Sequence, residues 1–519
     1  MRKLIQLNTI DLVVIAVYIV VLLGIGAMAS FGRKNRLGNL FLANKSLGWV
    51  AIGLTMWGTN VGPSMLIANA SSGFESGITA GNFSWYAFPF ILMLAFVFAP
   101  RYLGANVSTL PEYMGKRFGQ TTRHYIAWYT IATIIISWLG LTLFSGGVFM
   151  AQILDMPLWL CIVILVFVSA AFTMAGGLRA IAYTNVFQML LLIGVSVLLV
   201  VMALIKVGGI EALSTVPPPS YWKMFQPLSD PDFPWLAIVL GYPIMGVWFW
   251  CTDQSMVQSV LGAKSLKQGQ LGANFTAWLK LLDIPLFILP GILALILIPT
   301  LTEPTDAYLK LVEAVFPPGL LGLVIVVMVA ALISTVGSAL NSLSTVFTMD
   351  IYLKRYRPDA NDRETRKIGR IVVLLGALLS IALAIGITYI QGLSFFNVFQ
   401  SVLGFIAPPM SVAFLFAVLW KKTSMKAINL VLSLGTVFSI GTGILWYNKI
   451  ILSNLHFLYV SFIIFVFLSV FTTLYTLLES KSVEKPVALG YRPIKIGKGV
   501  LAAWTILVAI MITMYLIFN

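Results

Sequence analysis

Fourteen apolar runs of about 20 residues recur along the chain, centred near residues 20, 58, 90, 137, 166, 193, 247, 285, 335, 380, 406, 436, 465 and 509. Each is long enough to cross the hydrocarbon of a bilayer as a helix, which satisfies its own backbone polar groups. Hydrophobic residues make up 59% of the sequence and charged residues 10%, against roughly a quarter in a soluble domain. A soluble globule is therefore excluded. A membrane β-barrel is excluded as well, because its strands would be short and alternating. The expected fold is an all-α polytopic membrane protein of about 14 transmembrane helices, with residues 1–519 forming one domain.

A net charge of +15 can direct a chain to nucleic acid, but here its distribution points to a membrane. Of the 33 basic residues, 26 fall in odd-numbered loops and 6 in even-numbered loops and the N-terminus, with Lys280 alone inside a span. The positive-inside bias then puts the odd loops in the cytoplasm and both termini on the extracytoplasmic side. The first run follows Met1-Arg2-Lys3 and contains Ala27-Met28-Ala29, as a signal peptide would. It is longer than a signal core and is read as a retained helix over 11–30. Cys161 and Cys251 lie in separate apolar runs and His124 and His456 far apart, so no disulfide framework or thiolate metal site is expected. Neither a P-loop nor a nucleophile–base set at one depth is present, so neither ATP coupling nor an enzyme is expected, nor an organic cofactor.

Two runs are interrupted at matching places. The second carries Gly53, Gly58, Asn60, Gly62 and Pro63, and the seventh carries Gly241, Pro243 and Gly246. Proline removes a backbone donor, so both helices are predicted to break near mid-membrane. A single kink is common in membrane helices and says little. Two kinks five spans apart indicate an inverted repeat, because an odd offset starts the second unit from the opposite face. The repeats cover 47–206 and 234–419, with an extra helix before them and three peripheral helices over 425–519. The loops at about 206–233 and 301–317 are long and proline-containing, and short helices or lids are expected there.

The stretch from Met328 to Asp350 is the third helix of the second repeat. Ser334, Ser338, Asn341, Thr345 and Thr348 recur along it at three- and four-residue steps and share one face, which Thr335 and Ser342 widen. Uncharged hydroxyl and carbonyl oxygens are hard ligands suited to an alkali cation. Ordinary packing also explains such a stripe, since Ser and Thr let membrane helices approach closely. The two matching breaks, with this helix third in the second repeat, tip the reading toward a transporter.

The chain resembles the sodium/solute symporter family, particularly its sodium/sugar cotransporters, over nearly its whole length. The resemblance is carried by Gly176-Gly177-Leu178-Arg179-Ala180, by Trp250-Cys251-Thr252-Asp253-Gln254 with Val257-Gln258, and by Leu289-Pro290-Gly291-Ile292. It continues in Asn341-Ser342, Phe347-Thr348-Met349-Asp350-Ile351-Tyr352, Ala407-Pro408-Pro409 and Trp420-Lys421-Lys422. It implies a LeuT-type five-plus-five inverted repeat with broken first and sixth core helices. It also implies a sodium site made by the carbonyls of Gly58, Val61 and Ala331 and the hydroxyls of Ser334 and Thr335. For the solute, it implies contacts from Lys280 and Gln400 and aromatic gates at Phe249 and Phe396. Where relatives place a Gln, a Glu and an Asn on sugar hydroxyls, this chain has Met65, Ser84 and Gly246, which leaves the solute open. A second sodium site of some members uses an Asp at the position of Asn185, near Gly337 and Ser338, and is expected to be absent here.

The expected function is sodium-coupled secondary uptake of a small neutral solute, a sugar or polyol, across the plasma membrane by alternating access. Sodium, the solute and the lipid bilayer are the expected partners, without nucleic acid. One alternative is a sodium-coupled symporter of an organic anion or amino acid, with Lys280 as counter-ion. Another is a non-transporting sensor or channel.

Overall fold

The computed structural model describes residues 8–31, 41–387, 395–479 and 497–519, and every element in them is helical apart from two isolated β-bridges. Helix α1 spans Thr9–Phe31. The second run is divided into α2 (Trp49–Asn60) and α3 (Pro63–Ser76). Then follow α4 (Gln120–Leu154) and α5 (Leu158–Lys206), which turns sharply at Gly177. The second half of the core holds α6 (Trp235–Val247), α7 (Gln254–Leu261) and α8 (Leu266–Lys280). It ends with α9 (Leu320–Val346), α10 (Asp362–Ile387) and α11 (Phe395–Leu419). Gly177 has φ 57° and ψ −157°, a backbone conformation that only glycine adopts without strain, so α5 makes two crossings rather than one.

Ten helices among the described residues are long and apolar enough to cross a membrane. The number is eleven if Leu266–Lys280 and Ile284–Leu297, bent by 41°, form one span. Fourteen were expected. The shortfall has identifiable sources: α2 has only 12 residues, the first half of α5 is the short helix Leu158–Met174, and α1 counts only as Thr9–Tyr18. Burial orders the bundle. The most apolar window of Leu320–Tyr356 is 78% buried and that of Lys498–Ile517 only 22%, so α9 is central and the last helix peripheral.

The break between α2 and α3 lies where the sequence puts it. Val61 (φ −91°, ψ 87°) and Gly62 (φ −103°, ψ 168°) leave helical geometry, and Pro63 opens α3, where a missing N–H costs no hydrogen bond. The seventh run behaves differently. Its helix continues through Gly241, Pro243 and Gly246, passes into a π turn at Trp248–Thr252, and opens only at Asp253 (φ −80°, ψ 127°). The two glycines serve close packing: a Cβ on Gly241 would meet the Leu458 carbonyl at 2.4 Å, and one on Gly246 the Phe90 ring at 2.3 Å. Asp253 makes the break instead, its carboxylate accepting the free N–H groups of Ser255 and Met256 that start α7.

Two contacts fix the ends of this core. Asp11 of α1 accepts the backbone N–H groups of Gly319 and Gly322 at 2.7 Å each, capping the positive N-terminus of α9. The loop after α5 forms the short helices Ile210–Thr215 and Pro219–Trp222, and Tyr221 donates to the carbonyls of Phe74 and Glu75 at the end of α3.

Candidate ion and solute site

At the break, α2 frees carbonyls that α9 faces with hydroxyls. The Thr335 hydroxyl lies 3.0 Å from the Ala331 carbonyl and 3.5 Å from that of Gly58, joining the two helices. Val61 sits at the break itself, fully buried, its N–H donating to the Trp57 carbonyl. Ser334 sends its hydroxyl hydrogen to the Asn185 side-chain oxygen on α5. That direction matters, because a hydroxyl that donates elsewhere keeps its lone pairs for a cation. One turn on, Thr59 Oγ1 lies 3.5 Å from Ser338 Oγ. The locus is lined by neutral oxygens and is suited to a hard monovalent cation.

The hydroxyl stripe of α9 is divided in two. Its upper part, Ser334, Thr335 and Ser338, faces α2 and α5. Its lower part is a packing clamp: Gln258 of α7 donates to Thr345 at 2.9 Å and accepts from Ser342 at 2.6 Å. Gln258 also donates to the Phe41 carbonyl.

Beside the break lies a cavity of about 110 Å³. Thr59, Asn60, Gly62 and Thr335 form the wall next to the cation locus, and aromatic rings form much of the rest. Of the residues expected to meet the solute, Met65, Phe249 and Gln400 line it. Phe249 stacks on Trp138 with centroids 5.5 Å apart and is flanked by Trp248 and Trp250. Trp138 is anchored in turn, its indole N–H donating to Asp253 at 3.1 Å. Gly246 lies outside the lining, against Phe90. The side chain of Phe396 lies outside the described residues.

Lys280 and Ser84 stand behind the wall rather than in it. The Lys280 ammonium pairs with the Asp283 carboxylate, donates to Asn60 Oδ1 at 2.8 Å and to Ser84 Oγ at 3.3 Å, and sits 5.8 Å over the Trp250 ring. Asp283 also accepts from Trp57 Nε1 at 2.9 Å and from Ser84 at 2.8 Å. One buried ion pair thus holds Trp57 and Asn60, the residues on either side of Gly58 and Thr59. Sequence reasoning placed Lys280 at the solute, and no local signal pointed to its grip on Asn60. It missed Trp138 and the Asn185–Ser334 contact entirely. No cluster of three or more His, Cys, Asp or Glu able to hold a metal occurs among the described residues.

The profile of the "Sodium:solute symporter family" matches residues 40–428. The chain belongs to that family. This symporter is 31% identical to the sheep sodium/glucose cotransporter 1, over 93% of this chain and 80% of that one. It is 32% identical to the mouse sodium/myo-inositol cotransporter, over 80% of this chain and 64% of that one. In fold it resembles a solved Na+-coupled sialic acid symporter, with a TM-score of 0.79 at 20% identity, covering 91% of this chain and 98% of the other. Family membership makes this sodium:solute symporter a multi-pass membrane transporter and not an enzyme, with the five-plus-five core its broken helices announce.

Proposed function

We propose that the protein is a plasma-membrane symporter that couples the entry of one sodium ion to that of a neutral sugar or polyol. The observation that carries the reading is the shared wall: Asn60, Gly62 and Thr335 border the cavity and also flank the oxygens of the cation locus. Sodium is held by the carbonyls of Gly58, Val61 and Ala331 and the hydroxyls of Ser334 and Thr335. Binding there orders the α2–α3 break and shapes the adjoining solute wall. Met65, Phe249 and Gln400 then contact the solute, aided by Phe396. Ser84 and Lys280 act through Asn60, and Gly246 lets Phe90 pack close to the cavity. The glucose and myo-inositol cotransporters among the relatives support a polyhydroxylated solute. The Lys280–Asp283 pair supports a neutral one, because its charges already compensate each other.

The repeats, 47–206 and 234–419, rock about this site to expose it alternately to the two faces. Residues 11–30 and 425–519 remain peripheral, and both termini lie outside the cytoplasm. One charge moved across 100 mV gains about 2.3 kcal/mol, or about fifty-fold accumulation, before any chemical gradient is added. A competition panel of hexoses, polyols and carboxylates against sodium-driven uptake tests the solute class. Competition by carboxylates alone would replace the sugar reading with an organic-anion symporter.

A further inference from the structure

The transport mechanism leaves the basic residues at the start of α10 unused. Arg363, Arg366, Lys367 and Arg370 recur at three- and four-residue steps, so they share one helical face and line a surface depression. The face does not end with them. Ile371 and Leu374 complete the depression, and Leu375, Leu378 and Leu379 continue the exposed apolar surface down the helix. A cationic cluster that runs directly into an exposed apolar stripe has the profile of a lipid: anionic head, then acyl chain.

Local acids leave Arg363, Lys367 and Arg370 available. Glu364 is engaged by the Tyr352 hydroxyl at 2.7 Å and by Arg357 at 3.5 Å. Asp362 lies in the first turn of α10. The side chains of Arg363, Lys367 and Arg370 make no ion pair with the described residues. Directly behind this face, Gly369 and Gly376 bring α10 against the central helix, where Ser344 donates to the Gly369 carbonyl at 2.8 Å and Leu343 packs on Gly376.

We propose that this face is a docking site for one anionic phospholipid, its phosphate held by Arg363, Lys367 and Arg370 and one acyl chain lying along Ile371 and Leu374. The site rests on the reading that odd-numbered loops are cytoplasmic only for its leaflet, not for its existence. It is tested on the full-length protein in nanodiscs of phosphatidylcholine and phosphatidylglycerol, followed by native mass spectrometry after mild detergent washing.

The unaltered protein is expected to retain phosphatidylglycerol over phosphatidylcholine, and high salt to weaken that preference. The triple variant Arg363→Gln/Lys367→Gln/Arg370→Gln is expected to lose about tenfold or more of the retained phosphatidylglycerol. Lys421→Gln/Lys422→Gln, in another basic loop, should lose none. Equal retention of both lipids by the unaltered protein overturns the proposal without any variant. Equal losses in the two variants would also overturn it, showing bulk charge rather than a site. Competition by inorganic phosphate at the concentration that displaces the lipid would identify a free-anion site instead and likewise overturn it.

Discussion

Lys280 and Asp283 form an ion pair three residues apart in the bent span, with side chains 2% and 1% exposed. Because the pair also grips Asn60 and Trp57, it ties a wall of the cavity to α2 beside its break. On the proposed reading, Lys280 acts as a positioning residue.

Removing one member strands a buried charge. Lys280→Ala and Asp283→Ala are each expected to destabilise the protein by about 3–5 kcal/mol, whereas the double variant Lys280→Met/Asp283→Asn should recover part of this. Thermal unfolding in detergent measures it. Sodium affinity without solute should fall in the single variants too, and an effect confined to the solute would return Lys280 to a direct contact.

Ser334→Ala and Thr335→Ala each remove one oxygen from the cation locus and should raise the sodium concentration for half-maximal uptake roughly tenfold. Asn185→Ala should act in the same direction, because it takes away the acceptor that turns the Ser334 hydroxyl. Sodium titrations of uptake check all three. Unchanged sodium dependence in all of them would place the cation elsewhere.

Gln400→Ala and Phe249→Ala should raise the solute KM several-fold, about 1–2 kcal/mol each, with solute-free sodium binding unchanged. The comparison of uptake kinetics with a sodium-binding measurement separates solute contacts from positioning residues such as Lys280.

Residue chemistry made the membrane class, the first broken helix and the hydroxyl-rich α9 readable, because apolar length, Gly62-Pro63 and three- and four-residue spacing are local signals. The second break was misplaced for a local reason: Gly241 and Gly246 look like helix breakers, yet their missing side chains admit Leu458 and Phe90. The interruption comes from Asp253, a capping carboxylate whose role depends on Trp138, far away in sequence. Likewise Ser84 and Lys280 carry polar groups expected in the pocket, but Asp283 draws both behind it. The link from Asn185 to Ser334 joins positions 149 residues apart, and no spacing rule connects them.

On the proposed reading, the same contact leads to the expectation of one sodium per solute. The Asn185 oxygen is committed to Ser334 and carries no charge to offset a second cation in a low-dielectric site. Gly337 adds no side-chain oxygen. The reversal potential of the transport current, measured against set sodium and solute gradients, should shift as one charge per solute. A slope requiring two sodium ions would show a second site without a carboxylate at 185.

The most direct measurement is uptake of radiolabelled hexose or inositol into proteoliposomes of the purified protein, with an inward sodium gradient and potassium as control. The solute is expected to accumulate above its external concentration, to a level that collapses when the gradient is dissipated and is not reached in potassium. Uptake that only equilibrates, or that proceeds equally in potassium, would contradict sodium-coupled symport.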